Sequence, residues 1–279
     1  MVSSFAHCPA AQTMATDDRE ETVVLDAPAA RIISLAPSMT ELLFSLGAGE
    51  RIVGVMAHSD YPPEAAEIPV VGQHNGLDLE RILSLRPDLV IAWQSGNPQG
   101  ALERLEAMGI PVFVTEPESL EDIARQVDNL AALTGLEDTG SALAGDFRND
   151  LSTLRERHAG AEPVRVFYQV WNNPLITAGG GELIDDMISL CGGHNVFGDL
   201  PVGPKVSVES VLQRRPDVIV GSGVDGERPA WLDEWQQWKR LPAVQSDHVY
   251  HIEPDIIQRH SLRALDGAGR LCELINRAR

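Results

Sequence analysis

Positive charge is scarce in this sequence, and lysine is nearly absent. Lys205 and Lys239 are the two lysines among 279 residues, and the formal net charge is −19 at pH 7. Because a phosphate backbone requires a cationic protein surface, this charge argues against nucleic acid as a partner. It also disfavours bulk electrostatic binding to membranes.

Long apolar runs and Cys-x-x-Cys motifs are missing too. No stretch approaches the roughly 18 consecutive apolar residues of a membrane-spanning helix, so none is predicted. The three cysteines, Cys8, Cys191 and Cys272, form no Cys-x-x-Cys pair, which excludes zinc ribbons and thioredoxin-type motifs. The first residues lack the basic start and long apolar core of a secretory signal. A truncated or missing signal and a disordered acidic arm both fit this leader.

Signatures of common enzymes are also missing from the sequence. No Gly-x-Gly-x-x-Gly follows a predicted strand, and residues 179–182 are too irregular for that fingerprint. No P-loop, Gly-x-Ser-x-Gly or His-Glu-x-x-His occurs. We therefore do not expect an enzyme.

What the sequence does contain is an alternation of short apolar runs with amphipathic helical patterns. "RIISLA" predicts a buried strand, and "RIVGV" predicts the next strand after an intervening helix. Strand, helix and strand in succession indicate a parallel sheet. A helical pattern at 140–159 interrupts the alternation, which restarts after Pro163. The sequence thus predicts an α/β protein of two similar lobes.

One motif occurs in both halves: "LERILSLRPDLVIAW" starts at Leu79, and "VESVLQRRPDVIVGS" starts at Val208. Arg-Pro ends a helix and Asp begins a strand, because proline is not accommodated inside a helix. This change from helix to strand does not require a glutamate, yet Glu80 and Glu209 occupy the same position in the two copies of the motif. A glutamate near a helix N-terminus is often only a favourable partner of the helix dipole.

Five blocks, in order, resemble one protein family. They are "RIISLAPSMTELLFSLGAGERIVGV", "SDYPPEA", "GLDLERILSLRPDLVIAW", "SLCGGHNVF" and "VESVLQRRPDVIV". Together they are similar to the substrate-binding proteins of bacterial ABC importers for vitamin B12, iron-siderophores and haem. The resemblance covers roughly residues 31–277.

The resemblance implies two Rossmann-like lobes with parallel-sheet cores, joined by a single long interlobe helix. We predict a leader or disordered arm at 1–30, an N-terminal lobe at 31–138, the interlobe helix at 139–161 and a C-terminal lobe at 162–279. The ligand would lie in the cleft between the lobes, which would move little on binding. Strand-end loops would line that cleft.

The resemblance also gives the repeated glutamates a role. In the family, one exposed glutamate on each lobe pairs with arginines of the membrane permease dimer, and Glu80 and Glu209 match those positions. Charge-assisted pairs of this kind give register and encounter rate. We therefore expect a periplasmic monomer that docks on the permease dimer through Glu80 and Glu209.

Cys191 and Cys272 match the family's cysteine pair, so the resemblance predicts a disulfide bond and an oxidising compartment. Two buried free thiols are the alternative.

The predicted ligand is a corrinoid, vitamin B12 or a relative, with no separate cofactor and no resident metal. A corrin is a large flat plate that suits flat side chains. The candidate ligand-binding residues are Pro37, Ser38, His58, Tyr61, His74, Trp93, Trp171, Asp255, Arg259 and His260.

The chain departs from the vitamin B12-binding members of the family at several aromatic positions. His58, His74, Ile176 and Gly203 stand where those members have aromatic residues. The ligand alternatives are therefore an iron-siderophore or haem. A bound metal ion is a further alternative, with His58, Asp60, His74 and His260 as possible ligands, although their spacing does not demand one. His58 and His74 are either axial ligands of cobalt or iron or ordinary polar loop residues.

Overall fold

Strands and helices alternate along the chain in the computed structural model, which describes residues 12–73, 76–223 and 226–279. The chain divides into two compact units. The first contains the chain up to Glu116 together with Arg125–Ala144, and the second contains Pro117–Ala124 together with Gly145–Arg279. The predicted lobe boundaries and the single connecting helix remain predictions.

The first unit begins with a hairpin inside the predicted leader or disordered arm of residues 1–30. Strand β1 (Thr13–Thr16) pairs antiparallel with β2 (Thr22–Leu25). Alternate residues of each strand are buried, which is the pattern of a half-covered strand. Each run has four residues, too few for the alternation to stand out in the sequence. The arm prediction is therefore wrong for this stretch.

A six-stranded sheet forms the core of the first unit. Its strands are β3 (Ile32–Ser34), β4 (Ile52–Met56), β5 (Val70–Gln73), β6 (Gly76–Leu77), β7 (Leu89–Trp93) and β8 (Val112–Thr115). Their order is β6-β5-β4-β3-β7-β8, and all neighbours are parallel except β5 and β6. Parallel strands covered by helices are apolar throughout, and β3 and β8 are buried at every position.

Five helices occur between residues 37 and 158. They are α1 (Pro37–Ser45), α2 (Leu79–Ser84), α3 (Gln99–Ala107), α4 (Leu120–Thr134) and α5 (Glu137–His158), with 3₁₀ turns at Gly49–Arg51 and Pro63–Glu67. Ser119 is the N-cap of α4, because the Ser119 Oγ accepts from the Asp122 amide at 3.2 Å. Helix α1 begins at Pro37, since proline is favoured in a first turn.

A second parallel sheet forms the core of the other unit. Its strands are β9 (Val164–Trp171), β10 (Ile176–Thr177), β11 (Gly193–Asn195), β12 (Val218–Gly221) and β13 (Val249–His251). Strand β12 lies between β9 and β13, and both pairs are parallel. Strand β11 is parallel to the start of β9, whereas β10 is antiparallel to its end. The predicted α/β class with parallel-sheet cores is confirmed.

The helices of the second unit pack around a core of aromatic and aliphatic side chains. They are α6 (Leu183–Leu190), α7 (Val208–Arg214), α8 (Pro242–Gln245), α9 (Pro254–Ile257) and α10 (Ala264–Asn276). The Phe167 ring meets Phe197 and Trp235 edge-to-face, with centroids 5.7 and 5.5 Å apart. Such contacts add to the free energy of area burial.

One segment of this unit forms two short helices of different kinds. The segment "PAWLDEWQQWKRLPAV" forms a 3₁₀ helix at Ala230–Gln237 and then the short α8. Leu232 and Trp235, three residues apart, are the buried side chains of the 3₁₀ helix, whose three residues per turn place them on one side.

The repeated Arg-Pro-Asp motif has the same backbone role in each unit. Arg86 and Arg215 have left-handed backbones, with φ of +48° and +50°. The Asp88 carboxylate accepts the amides of Ala30 and Arg31 at 2.9 Å. The Asp217 carboxylate accepts the Arg165 amide at 3.0 Å and also pairs with its guanidinium. Each aspartate thus anchors the start of the neighbouring strand. The hydrogen bond from the Arg165 side chain also lowers the pKa of the Asp217 carboxyl.

The predicted disulfide is confirmed. The sulfur atoms of Cys191 and Cys272 are 2.00 Å apart, and they join the end of α6 to α10. The Arg279 guanidinium donates to the Cys191 carbonyl at 2.7 Å, which adds a second link between the end of α6 and the C-terminal residues of the chain. Of the helices in the described part of the chain, none has the length and apolar character needed to cross a membrane.

Candidate ligand-binding site

A hollow of about 390 Å³ opens in the second unit, where β9 and β12 end. The two strands pair in register, with Gln169 opposite Gly221, so their following loops leave the sheet side by side. Carboxyl ends of parallel strands are where open α/β sheets place their ligands. The hollow is lined by Trp171, Asn172, Asn173, Gly223, Glu227, Arg228, Pro229 and Trp231.

Trp171, a predicted ligand-binding residue, forms one side of this hollow at the end of β9. Its indole nitrogen donates to the Asn173 carbonyl at 3.0 Å, which fixes the ring against its own loop. The side chain is nevertheless 42% exposed. The indole is therefore partly open to solvent while its N–H already has a hydrogen-bond partner.

Trp231 belongs to the 3₁₀ helix at Ala230–Gln237, and its ring lies near the end of the neighbouring strand, β12. A Cβ on Gly221 would come within 3.2 Å of the Trp231 ring. Glycine at this position thus allows the indole to rest on the backbone of β12, next to the loop that carries Gly223. One indole of the hollow thus ends β9, and the other lies against the end of the adjacent strand β12.

Arg228 is the cation of the hollow, and it is held by Asp233. Its guanidinium donates to the Asp233 carboxylate at 2.7 and 3.2 Å and to the Val249 carbonyl at 3.3 Å. A guanidinium has five N–H donors, so these three bonds leave two for another acceptor. The pair is exposed, and its contribution to stability is therefore small.

A buried polar network lies under the same strand ends. The Tyr168 hydroxyl donates to the Ser222 Oγ at 2.9 Å, and the Gln258 amide reaches both hydroxyls. Trp235 donates to the Gln169 side chain at 2.7 Å. Burial raises the pKa of Tyr168 to about 12, so the phenol stays neutral. Because the buried groups are bonded to each other, the network stiffens the floor of the site.

Three predicted residues, Asp255, Arg259 and His260, follow β13 in and after α9. Asp255 and Arg259 pair at 3.0 Å across one helical turn. Gln258, between them, joins this segment to the Tyr168 network. His260 is half-buried, and burial lowers its pKa to about 4 against an opposing effect of the Asp122 carboxylate. The structure therefore brings these three residues to the same strand ends as Trp171.

The depressed pKa of His260 predicts a loss of stability in mild acid. The unfolded chain binds a proton near pH 6.5 and the folded chain only near pH 4, so folding becomes less favourable as pH falls between these values. The shift corresponds to at most about 3 kcal/mol. We expect His260→Gln to reduce the difference in unfolding free energy between pH 7 and pH 4 by about this amount. Urea unfolding at both pH values measures it, and equal differences in variant and wild type would contradict it.

The predicted residues of the first unit follow β3, β4 and β7. Pro37 and Ser38 lie half-buried in the first turn of α1. His58 is exposed with φ of +67°, and Tyr61 is exposed next to a cis Tyr61–Pro62 peptide. His74, the other predicted histidine, lies outside the described residues.

Trp93 lies half-buried at the end of β7 and is held on two sides. Its indole nitrogen donates to the Glu116 carboxylate at 3.3 Å, and its amide donates to the Asn97 side chain at 2.7 Å. Its ring lies over Gly96, where a Cβ would overlap it. This tryptophan is thus more confined than Trp171.

Glu80 and Glu209 occupy matching positions in the two units. Each is the second residue of a short helix, α2 or α7, and each is exposed. Asp78 caps α2 and Ser207 caps α7, so the helix ends do not depend on the glutamates. Within the described residues, neither glutamate side chain has a hydrogen-bond or ion-pair partner.

Comparison with known proteins places the chain in a family. The sequence pattern of the periplasmic binding proteins matches residues 32–256. The chain belongs to the periplasmic binding protein family. The vitamin B12-binding protein of Vibrio parahaemolyticus is 39% identical over 250 residues, which are 88% of this chain and 89% of the relative. That of Yersinia pestis is 40% identical over 253 residues, 90% of this chain and 88% of the relative.

Solved structures of the same family share its fold. The crystal structure of the periplasmic vitamin B12-binding protein of Vibrio cholerae has a TM-score of 0.83 and 37% identity, and the match covers 90% of this chain and 98% of that one. The periplasmic haem-binding protein from Roseiflexus, without ligand, has a TM-score of 0.80 and 26% identity over 90% of this chain and 100% of that one.

Sequence reasoning missed part of the site of this periplasmic binding protein. Its candidate residues include none from the loop after β12, which supplies Gly223, Glu227, Arg228 and Pro229. The signal was available, because the aspartate of the second repeated motif was predicted to begin a strand. Trp231 was not among the candidates either. Among the described residues, no three His, Cys, Asp or Glu side chains are grouped to hold a metal ion.

Proposed function

We propose that this protein captures a corrinoid, vitamin B12 or a close relative, and delivers it to the permease of an ABC importer. The observation that carries the proposal is the level of identity. The vitamin B12-binding proteins of three Vibrio species and Yersinia pestis are 38–40% identical to this chain over about nine-tenths of its length. The haem-binding structures stand at 26% or below.

The charge of the candidate site supports the same ligand. Arg228 and Arg259 each have an acidic partner, Asp233 and Asp255 respectively. Vitamin B12 carries many side-chain amides and little net charge, so it needs hydrogen bonds rather than unpaired cations. The carboxylates of haem and of many siderophores favour arginines that have no competing acid.

A retention experiment tests the proposal. The purified protein is incubated separately with cyanocobalamin, cobinamide, haemin and a ferric siderophore, then desalted, and its visible spectrum is recorded. We expect corrinoid absorbance to remain with the protein. Retention of haem or the iron chelate alone would refute the proposed ligand and establish the alternative that the haem-binding relatives favour.

The two glutamates support docking on a two-fold permease. Glu80 and Glu209 are exposed at the second position of equivalent helices, one in each unit. The repeated aspartates account for strand anchoring, so anchoring gives no reason for a glutamate at these positions. We infer that each glutamate pairs with arginines of one permease subunit, and that one copy of this chain serves one permease dimer.

We also infer that the chain works in the periplasm. Its relatives include proteins named as periplasmic. The bond between Cys191 and Cys272 joins two fully buried sulfur positions, and such bonds persist in oxidising compartments. The protein binds and releases its ligand without converting it.

A further inference from the structure

Another hollow, of about 430 Å³, lies in the second unit beside the start of β12, at the opposite end of that strand from the candidate ligand-binding site. It is lined by Leu212, Arg215, Gln237, Trp238, Lys239, Arg240 and Leu241. Three of these residues are cations and none is acidic, although the chain carries a net charge of −19. We call this concavity the basic hollow.

Main-chain hydrogen bonds bring the cations together from two segments of the chain. Arg215 lies directly after α7 and has a left-handed backbone, with φ of +50°. The Ala243 amide donates to the Pro216 carbonyl at 3.1 Å, which holds the start of α8 next to the residue that follows Arg215. Residues 238–241 form a turn closed by a main-chain hydrogen bond of 2.9 Å, and this turn carries the other two cations.

The three cations have no counter-ion among the described residues. The side chains of Arg215, Lys239 and Arg240 are exposed, and within the described part of the chain none of them has a hydrogen bond or an ion pair. Asp217 lies within electrostatic range of Arg215 but already pairs with Arg165 at 2.7 Å. Because like charges that share one hollow repel each other, a bound anion would stabilise this arrangement.

Neither the repeated motif nor the helix dipole explains the cluster. Arg214, the neighbour of Arg215, pairs with Asp199 at 2.6 Å, so an acidic partner is found where a paired arginine serves the fold. A cation at the end of α7 is favourable, and Arg86 occupies the same position of the motif in the first unit. The connection between α3 and β8, residues 108–111, contains no cation at all. The lysine and the second arginine of the basic hollow are therefore particular to the second unit.

A phosphate group fits this set of donors better than a carboxylate does. One arginine already matches the two oxygens of a carboxylate. A phosphate ester has up to three free oxygens and up to two negative charges, so it can accept hydrogen bonds from three cations at once. The overall negative charge of the chain repels anions elsewhere, and binding in the basic hollow must therefore be local and sensitive to salt.

The remaining lining residues suit the organic part of an ester. The side chain of Trp238 is 36% exposed, and its indole N–H has no hydrogen-bond partner within the described residues. Leu212, one turn along α7 from Val208, is half-buried beside it. An apolar surface next to the cations thus accompanies one additional N–H donor.

We propose that the basic hollow binds the phosphate group of a phosphate ester. A soluble ester and the headgroup of an anionic phospholipid both carry this group, and the experiment below distinguishes them. The site shares no lining residue with the candidate ligand-binding site. The inference therefore stands or falls independently of the proposed corrinoid function.

Isothermal titration of the full chain with inorganic phosphate at low ionic strength is the first test. We expect saturable binding to the wild type, and a loss of about tenfold or more in affinity when Arg215→Gln, Lys239→Gln and Arg240→Gln are combined. The matched control combines Arg86→Gln, Arg155→Gln and Lys205→Gln, which removes two arginines and one lysine at exposed positions outside the hollow. It should bind phosphate as the wild type does.

Flotation with lipid vesicles is the second test. Vesicles of phosphatidylglycerol and phosphatidylcholine in equal parts are compared with vesicles of phosphatidylcholine alone, for the wild type and both triple variants. Phosphate binding without flotation identifies a soluble ester, whereas flotation with the anionic vesicles identifies a lipid headgroup, provided that the hollow variant loses it and the control does not. Far-ultraviolet circular dichroism verifies that both variants are folded. The proposal is wrong if the wild type binds neither probe, or if the two triple variants behave alike.

Discussion

Replacing Glu80 and Glu209 together with alanine is expected to abolish corrinoid import while the Kd for the ligand stays unchanged. Both side chains are exposed and have no partner within the described residues, so their removal leaves no buried group unsatisfied. Loss of two charge-assisted anchors removes both the attraction that speeds docking and the contacts that fix the register. Uptake of labelled cyanocobalamin by cells, together with titration of the purified variant, measures the two quantities separately.

A matched variant controls for the change in net charge. Glu64→Ala combined with Glu156→Ala also removes one exposed carboxylate from each unit, and both positions lie away from the repeated motif. We expect this variant to import at the wild-type rate. Normal import by the Glu80 and Glu209 double variant would refute the docking role, and a weakened Kd would show that the glutamates serve the ligand instead.

Breaking the bond between Cys191 and Cys272 is expected to cost the largest single amount of stability. The two residues are separated by 81 positions, and the chain-entropy relation for a loop of this size gives about 4.5 kcal/mol. The bond restricts the unfolded chain, so its loss stabilises the unfolded state more than it disturbs the folded one. Urea unfolding of the oxidised and the reduced wild-type protein measures the difference.

Reduction of the wild type avoids the cavities that substitution at two buried positions would create. Alkylation of the unfolded, unreduced protein should label Cys8 alone, and mass spectrometry counts the labels. Three labels would show that the bond does not form. Equal stability of the oxidised and reduced protein would show that the bond forms without constraining the unfolded chain.

The sequence predicts the architecture well where local signals and tertiary packing agree. In each repeated motif, Asp was predicted to begin a strand, and the apolar runs that contain Val90 and Ile219 are buried strands of the two parallel sheets. The same signals fail where an element is short or has an unusual period. The hairpin of β1 and β2 has four residues in each strand, and the 3₁₀ helix at Ala230–Gln237 buries Leu232 and Trp235, which are three residues apart.

The candidate site was harder to predict than the fold. Trp171 and the segment from Asp255 to His260 lie at the strand ends that the rule for parallel sheets indicates. Arg228 and Trp231 lie there too, but their position depends on the pairing of β9 with β12 and on the space above Gly221. A local stretch of sequence predicts neither the order of the strands nor the space above Gly221.

The uneven placement of tryptophan makes the two units spectroscopically distinct. Trp93 is the single tryptophan of the first unit, and the other four belong to the second. Tryptophan fluorescence of the wild type therefore reports mainly on the second unit. In a Trp93→Phe variant, tryptophan fluorescence would come from the second unit alone. Emission changes during denaturation, or quenching by a coloured ligand, can thus be attributed to one half of the molecule without attaching a dye.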